Sequence, residues 1–204
     1  MHPQRAFHWD DPASLLQLVS AIAFTRIFAA TPEGPRVAHV PVIITGDGRL
    51  RFHLANTNAL TPHLTGTTVL ALTEGPNAYV SANWYVDIRG AVPTWNYLAA
   101  EVEGTVATID RAALIDLIDA LALQLEPRVA EDWTRHKMEP QRFEALLDGI
   151  TGFELTPAVL RGTRKLSQNK SDVEVAGVIA GMRRTRSSTM AMAMREARTP
   201  KPEA

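Results

Sequence analysis

Hydrophobic spacing along the chain separates helical stripes from alternating blocks. Leu15, Leu18, Val19 and Ile22 lie a helical turn apart behind Asp11-Pro12, an acidic cap with proline in the first turn, and predict a helix ending near Ala23. From Phe24 the pattern shifts to short β-prone runs at 25–31, 36–45 and 49–54, parted by the turns Pro32-Glu33-Gly34-Pro35 and Gly46-Asp47-Gly48. Runs at 67–73 and 78–81 and a long run at 94–108 extend this meander, with His63 and Leu64 ending a short helical link. Asp110 caps a second helix on Leu114, Leu117, Ile118, Leu121 and Leu125, stopped by Pro127. Pro140 opens a third, and 150–156 is one more strand. Ser171-Asp172-Val173-Glu174 is a capping-box pattern ahead of Val175, Val178, Ile179 and Met182, and a brief helix over 188–197 precedes fraying at Pro200 and Pro202. Many strands with little helix between them predict an α+β chain built on an antiparallel barrel, with flanking helices and a C-terminal helical extension.

Composition narrows the class. With 204 residues, 46% hydrophobic and 21% charged, the chain is sized for one globular domain and a small appendage. The expected division is a barrel with its flanking helices over 1–160 and, over 161–204, a basic loop, helix and tail packed on the barrel or on a partner subunit. The longest apolar stretch, 114–125, is interrupted by Asp116 and Asp119 and falls short of the roughly 20 apolar residues that cross a bilayer, so no membrane partner is expected. Met1-His2-Pro3-Gln4-Arg5 has no apolar run behind it, and a cytoplasmic location is the expectation. The absence of cysteine removes disulfides, thiolate nucleophiles, iron–sulfur clusters and zinc fingers. The net charge of −1 hides an asymmetry: residues 161–204 carry ten Lys or Arg against four acids, leaving eleven against eighteen for the rest. A basic terminal quarter on an acidic body suits phosphate, nucleic acid or a partner subunit.

The common catalytic signatures are absent: no dinucleotide or P-loop glycine pattern, no H-E-x-x-H, no G-x-S-x-G, and no pair of histidines four residues apart, so no metal site is expected. Three constellations remain. His53 ends a strand that turns out through Asn56, Thr57 and Asn58, a corner able to hold phosphate on side-chain donors and turn N–H groups, or simply a hydrogen-bonded turn. Tyr79, Trp84, Tyr85, Trp95 and Tyr97 are interleaved with Ser81, Asn83, Thr94 and Asn96. Flat rings beside amides suit a heteroaromatic ligand, and equally suit core or interface packing. The third is Arg161-Gly162-Thr163-Arg164-Lys165-Leu166-Ser167-Gln168-Asn169-Lys170-Ser171, cations mixed with amides before a capped helix. It has no helix-turn-helix pattern to aim side chains at base edges, although contact with phosphates alone stays open.

Gly75-Pro76-Asn77-Ala78-Tyr79-Val80-Ser81, Asn83-Trp84-Tyr85, Val92-Pro93-Thr94-Trp95-Asn96-Tyr97, Gly152-Phe153-Glu154 and Lys165-Leu166-Ser167-Gln168-Asn169 together resemble the PaiB-like family of FMN-binding negative transcriptional regulators. The resemblance implies a flavin-reductase-like split β-barrel that forms a homodimer, with FMN between the subunits and promoter DNA as a further partner. It implies phosphate binding by His53, Thr57 and Asn58, a ring pocket lined by Tyr79, Trp84, Trp95 and Asn96, and closure by Lys165, Ser167, Gln168 and Asn169. Lys165 is the candidate for stabilising negative charge on the reduced ring. Two departures stand out: Asn56 and Ala59 replace an arginine and a proline of the family's phosphate turn, and Ser81-Ala82-Asn83-Trp84-Tyr85 replaces a Ser-Pro-x-Trp-Tyr element. Losing a bidentate cation weakens phosphate binding. Alternatives are an FMN-dependent NAD(P)H reductase and a flavin-free interaction module.

Overall fold

The computed structural model describes residues 2–198. In chain order its elements are β1 (His8–Trp9), α1 (Pro12–Ile22), β2 (Phe24–Thr31), β3 (Gly34–Pro41), β4 (Ile43–Ile44), β5 (Leu50–Ala55), β6 (Thr68–Val80), β7 (Thr94–Thr108), α2 (Arg111–Leu125), α3 (Pro140–Leu147), β8 (Ile150–Lys165), α4 (Asp172–Arg184) and α5 (Ser188–Glu196). The strands form one sheet in the order β3-β2-β6-β7-β8-β5-β4, with β1 paired to β8. The pairings β1–β8, β2–β3, β2–β6, β4–β5 and β5–β8 are antiparallel. The chain separates into two compact units, and β6, β7 and β8 each give one end to both.

One unit comprises Pro12–Thr73 and Glu101–Leu160. Its strands bury alternate residues, Ile27 on β2, Phe52 and Leu54 on β5, and Val69 and Ala71 on β6, as half-buried strands do. The Phe52 and Phe153 rings stack across the β5–β8 ladder with centroids 5.6 Å apart. Asp110 caps α2 by accepting from Ala113 N, and Leu114, Leu117 and Leu121 bury one stripe of that helix against Phe143 and Leu147 of α3. Gly104 sits where β7 meets the Thr156-Pro157 bend of β8: a Cβ there would lie 2.0 Å from the Thr156 carbonyl oxygen.

The other unit comprises the described residues of Met1–Asp11, Glu74–Ala100 and Arg161–Ala204. The chain's start returns to β8, His8 opposite Thr163 and Trp9 opposite Gly162. The expected capping box forms, with the Ser171 hydroxyl and the Glu174 carboxylate satisfying each other's N–H groups at the start of α4. Gly177 and Gly181, one turn apart on α4, leave the space that Trp84 fills. A Cβ at 181 would lie 2.3 Å from the indole, and one at 177 would lie 2.3 Å from the Trp84 carbonyl oxygen.

Three expectations change. The runs at 67–73 and 78–81 are one strand, because Gly75-Pro76 does not break β6. Burial instead slips phase by one residue, from Thr73 and Gly75 to Ala78 and Val80, as at a β-bulge. The strand at 150–156 continues to Lys165, so residues 161–165 of the expected basic loop are strand, held at Gly162 and Thr163 by β1. The run at 36–45 is divided at Val42, after a proline that cannot donate to a ladder. The division at residue 160 falls inside β8. Pro200 and Pro202 lie outside the described residues. A Gly104→Ala variant is expected to lose about 3 kcal/mol of unfolding free energy in urea, because backbone rather than a flexible side chain must move. A loss under about 0.5 kcal/mol, the size of an ordinary surface change, would show that the two strands part without strain.

Candidate functional site

The second unit holds a cavity of about 260 Å³ built from three segments. Alternation on β7 sends Thr94 and Asn96 to one face, β8 delivers Lys165 at its last residue, and the turn that follows adds Ser167, Asn169 and Lys170. His2, Gln4 and Phe7 of the amino-terminal segment and Tyr85 complete the wall. Asn96 is fully buried: its Nδ2 donates to Ser167 Oγ at 2.9 Å and approaches Met194 Sδ at 3.5 Å, while its Oδ1 has no donor among the described residues. Ser167 reaches this position with φ at +62°, in the left-handed region that favours glycine.

Two ammonium groups stand in the same wall. Lys165 Nζ donates to Thr94 Oγ1 at 2.7 Å and lies 5.5 Å from the centre of the Phe7 ring. Lys170 Nζ lies 4.6 Å from the centre of the Tyr85 ring and 3.7 Å from Glu174 Oε1. Burial, and then the Lys165 charge, push the His2 pKa below its ordinary value, so near neutral pH the positive charge of this wall resides on the lysines. The arrangement suits a planar or anionic group with one hydrogen to donate and carbonyl oxygens to accept from ammonium.

Of the site residues expected from sequence, Asn96, Lys165, Ser167 and Asn169 meet at this cavity. Gln168 instead closes the turn, Oε1 accepting from Leu166 N at 2.7 Å and Nε2 donating to the Arg164 carbonyl. Trp84 is seated on α4. Trp95 points away from Asn96 by strand alternation and is half-exposed. It meets Tyr79 edge-to-face at 6.1 Å, and its Nε1 donates to Asn77 Oδ1 at 3.2 Å. Thr94, Tyr85 and Lys170, which stand in the same sequence constellations but outside the expected site set, also line the cavity, as do the amino-terminal His2, Gln4 and Phe7. Thr94 was legible, two residues before Asn96 on the same strand face. The amino-terminal segment was not, because only tertiary pairing brings it to β8.

His53, Thr57 and Asn58 lie in the first unit. Asn58 Oδ1 accepts from Leu60 N at 2.9 Å. Asn56, in place of the family arginine, ties the end of β5 to the next turn, donating to the Asp148 carbonyl and accepting from Thr151 Oγ1, both at 2.7 Å. Phe52 and Leu54 are buried on the other face of β5, so His53 shares the face of its partner Gly152, where Ile109 and Leu114 crowd in. Its Nδ1 is buried without a partner among the described residues, and burial pushes its pKa down. A larger cavity in this unit, about 430 Å³, is walled by Asp119, Glu126, Glu131, Asp132 and Trp133, carboxylates that repel a phosphate-bearing ligand.

The backbone is similar to two flavoprotein structures. One is the FAD and haem binding protein from Mycobacterium smegmatis (TM-score 0.60, 17% identity, 83% of this chain and 78% of that one). The other is the flavocytochrome Anf3 from Azotobacter vinelandii (TM-score 0.62, 15% identity, 86% and 78%). Sheet and helices together thus define a split β-barrel of the α+β class. Residues 1–158 match the family described as "Putative FMN-binding domain", and the chain belongs to that family. A relative, "Protease synthase and sporulation protein PAI 2" of Bacillus subtilis, is 32% identical over 111 residues; the match covers 54% of this chain and spans about half (53%) of that relative's length. An uncharacterised protein of Emericella nidulans is 28% identical over 87% of this chain and 88% of its own. FMN is the cofactor that membership assigns. The cavity fits part of it, since a buried acceptor without a donor and two ammonium groups complement a ring edge that carries an N–H between carbonyl oxygens.

Because the folded His53 binds its proton less readily than the unfolded chain, its contribution to stability is intact above about pH 6.5 and is lost as pH falls below that value. The Tm of the wild type is therefore expected to drop more between pH 7 and pH 5.5 than that of His53→Leu in parallel calorimetric scans. Identical drops would show that the imidazole titrates alike in both states.

Proposed function

We propose that this chain is a homodimeric, FMN-binding regulator of gene expression in which the cavity beside Asn96 receives the polar edge of the flavin ring. The observation that carries the reading is the buried Asn96 Oδ1 lacking a donor, in a chain whose family is described by FMN binding. When bound, FMN supplies one- and two-electron transfer. Lys165, steadied by Thr94, places a fixed positive charge where charge on a ring carbonyl gains most, and Ser167 holds the Asn96 amide so that its acceptor stays oriented. Phe7 and Tyr85 exclude water from that edge and strengthen both interactions.

Two observations support a second copy. A cavity of about 260 Å³ is smaller than the roughly 300–1,000 Å³ of pockets that bury most of a drug-sized ligand, so further walls are required. The half-exposed Tyr79–Trp95 pair faces away from Asn96, so one chain cannot set both around the same ring, whereas two chains can, each lending its aromatic pair to the other's cavity. Promoter DNA and a cytoplasmic setting belong to the same proposal. Among the described residues no helix is long and apolar enough to cross a membrane.

Purified protein is expected to be yellow, to run as a dimer in light scattering, and to release FMN on denaturation. Asn96→Leu and Lys165→Ala are each expected to weaken FMN binding about tenfold by fluorescence titration, the effect of one hydrogen bond to a buried or charged partner. A colourless monomer that ignores added FMN would overturn the reading, and unchanged affinity in both variants would move the flavin away from this cavity.

A further inference from the structure

Beyond residue 158, where the family match ends, the chain adds the end of β8 and the helix pair α4 and α5. The two helices pack on each other and are joined by only three residues, Thr185–Ser187. Met190, Ala191 and Met194 bury one face of α5, leaving Ser188, Thr189, Met192, Arg195 and Glu196 outward.

Most cations of this segment are engaged in holding the fold. Arg198 pairs with Asp172 and donates to the Lys170 carbonyl at 2.7 Å, Lys170 pairs with Glu174, and Arg164 lies over the Trp9 ring. Arg183, Arg184 and Arg186 differ: all three are exposed, and among the described residues their side chains have no hydrogen-bond or ion-pair partner. Arg183 and Arg184 end α4, where cations are favoured by the helix dipole. Arg186 has no such reason. Its φ is +61°, the left-handed conformation in which glycine is the stable choice after a helix. An arginine kept there at a cost to the backbone points to use of its side chain. The three charges also lead into the first turn of α5, whose N–H groups receive no side-chain cap.

We propose that Arg183, Arg184 and Arg186, with the start of α5, form a contact surface for the phosphate backbone of duplex DNA. This inference rests on the regulatory reading above and deepens it by naming the surface. Three uncompensated guanidinium groups beside free helix N–H groups match phosphate oxygens, and a short polar α5 face can lie along a groove edge without steric bulk. A membrane surface suits it less, because an interfacial helix needs a broad apolar face and α5 offers outward only Met192.

The test is fluorescence anisotropy of a labelled duplex, titrated with the full-length dimer at several salt concentrations. Wild type should bind with a steep salt dependence. The triple variant Arg183→Gln, Arg184→Gln, Arg186→Gln should bind about tenfold or more weakly, with a log–log salt slope shallower by about 2 to 3. Arg186→Gly alone should melt at or above the wild-type temperature while losing about one from the slope, which separates loss of contact from loss of fold. A wild type that binds with the same slope as the triple variant overturns this surface and leaves the regulatory reading standing. A wild type that binds no duplex overturns both. Binding to phosphatidylglycerol vesicles in place of duplex assigns the patch to a membrane and overturns the proposal.

Discussion

The site depends on one unfinished hydrogen-bond arrangement. Asn96 is wholly buried, gives its N–H to Ser167 and retains an acceptor that none of the described residues satisfies. A buried polar group without a partner costs about 1–3 kcal/mol, more than the net gain of a typical hydrogen bond. A leucine at this position would remove that cost, so the amide is explained by what it can receive. The neighbouring groups conform to this. Ser167 takes up a left-handed backbone at the turn that presents its hydroxyl, Thr94 fixes the Lys165 ammonium, and Gln168 ties the turn shut through backbone contacts.

Strand alternation converts this local feature into a statement about assembly. Successive side chains of β7 point to opposite faces, so Thr94 and Asn96 cannot share a face with Trp95. Amides suited to a ring edge and aromatics suited to its face occur together in sequence and are parted by the backbone that carries them. The cavity is small for the same reason, with polar walls and an aromatic platform turned elsewhere. The dimer proposed above would meet both deficits, since an isologous contact would place each chain's platform against the other chain.

Much of the fold was legible, because local rules governed it. The cap at Asp110, the capping box at Ser171, the proline starts at Pro12 and Pro140 and the full extent of β7 all follow from spacing and end residues. What escaped was non-local. Gly75-Pro76 has the sequence of a break, yet β6 absorbs it by slipping phase. The basic run at 161–165 has the sequence of a solvated loop, and is strand because His8-Trp9, more than 150 positions earlier, supplies its ladder partner. At the site, the residues that one strand face or one turn holds, Asn96, Lys165, Ser167 and Asn169, meet at a single cavity. Others stand apart from it where a second element decides the contact. Trp84 fits a ring-binding role by type, but the glycines at 177 and 181, one turn apart on a helix, form the seat it fills.

Charge shows the same limit of composition and how structure lifts it. The terminal quarter is strongly basic, and the total alone suits phosphate, nucleic acid or another subunit equally. Partners in the fold separate the cations: Lys165 belongs to the cavity, Lys170 and Arg198 brace α4 and the turn before it, and Arg164 covers Trp9. Arg161 and Arg195 are engaged as well, and among the described residues this leaves Arg183, Arg184 and Arg186 within four residues, the last in a conformation that stability by itself would give to glycine. Backbone strain of this kind persists only where surrounding structure enforces it or a side chain is needed. The helix end sets this conformation, Ser187 N donating to the Met182 carbonyl at 2.9 Å, but it does not call for an arginine there. Left-handed residues thus stand at both features of this unit, Ser167 at the cavity beside Lys165 and Arg186 at the helix pair beside Arg183 and Arg184.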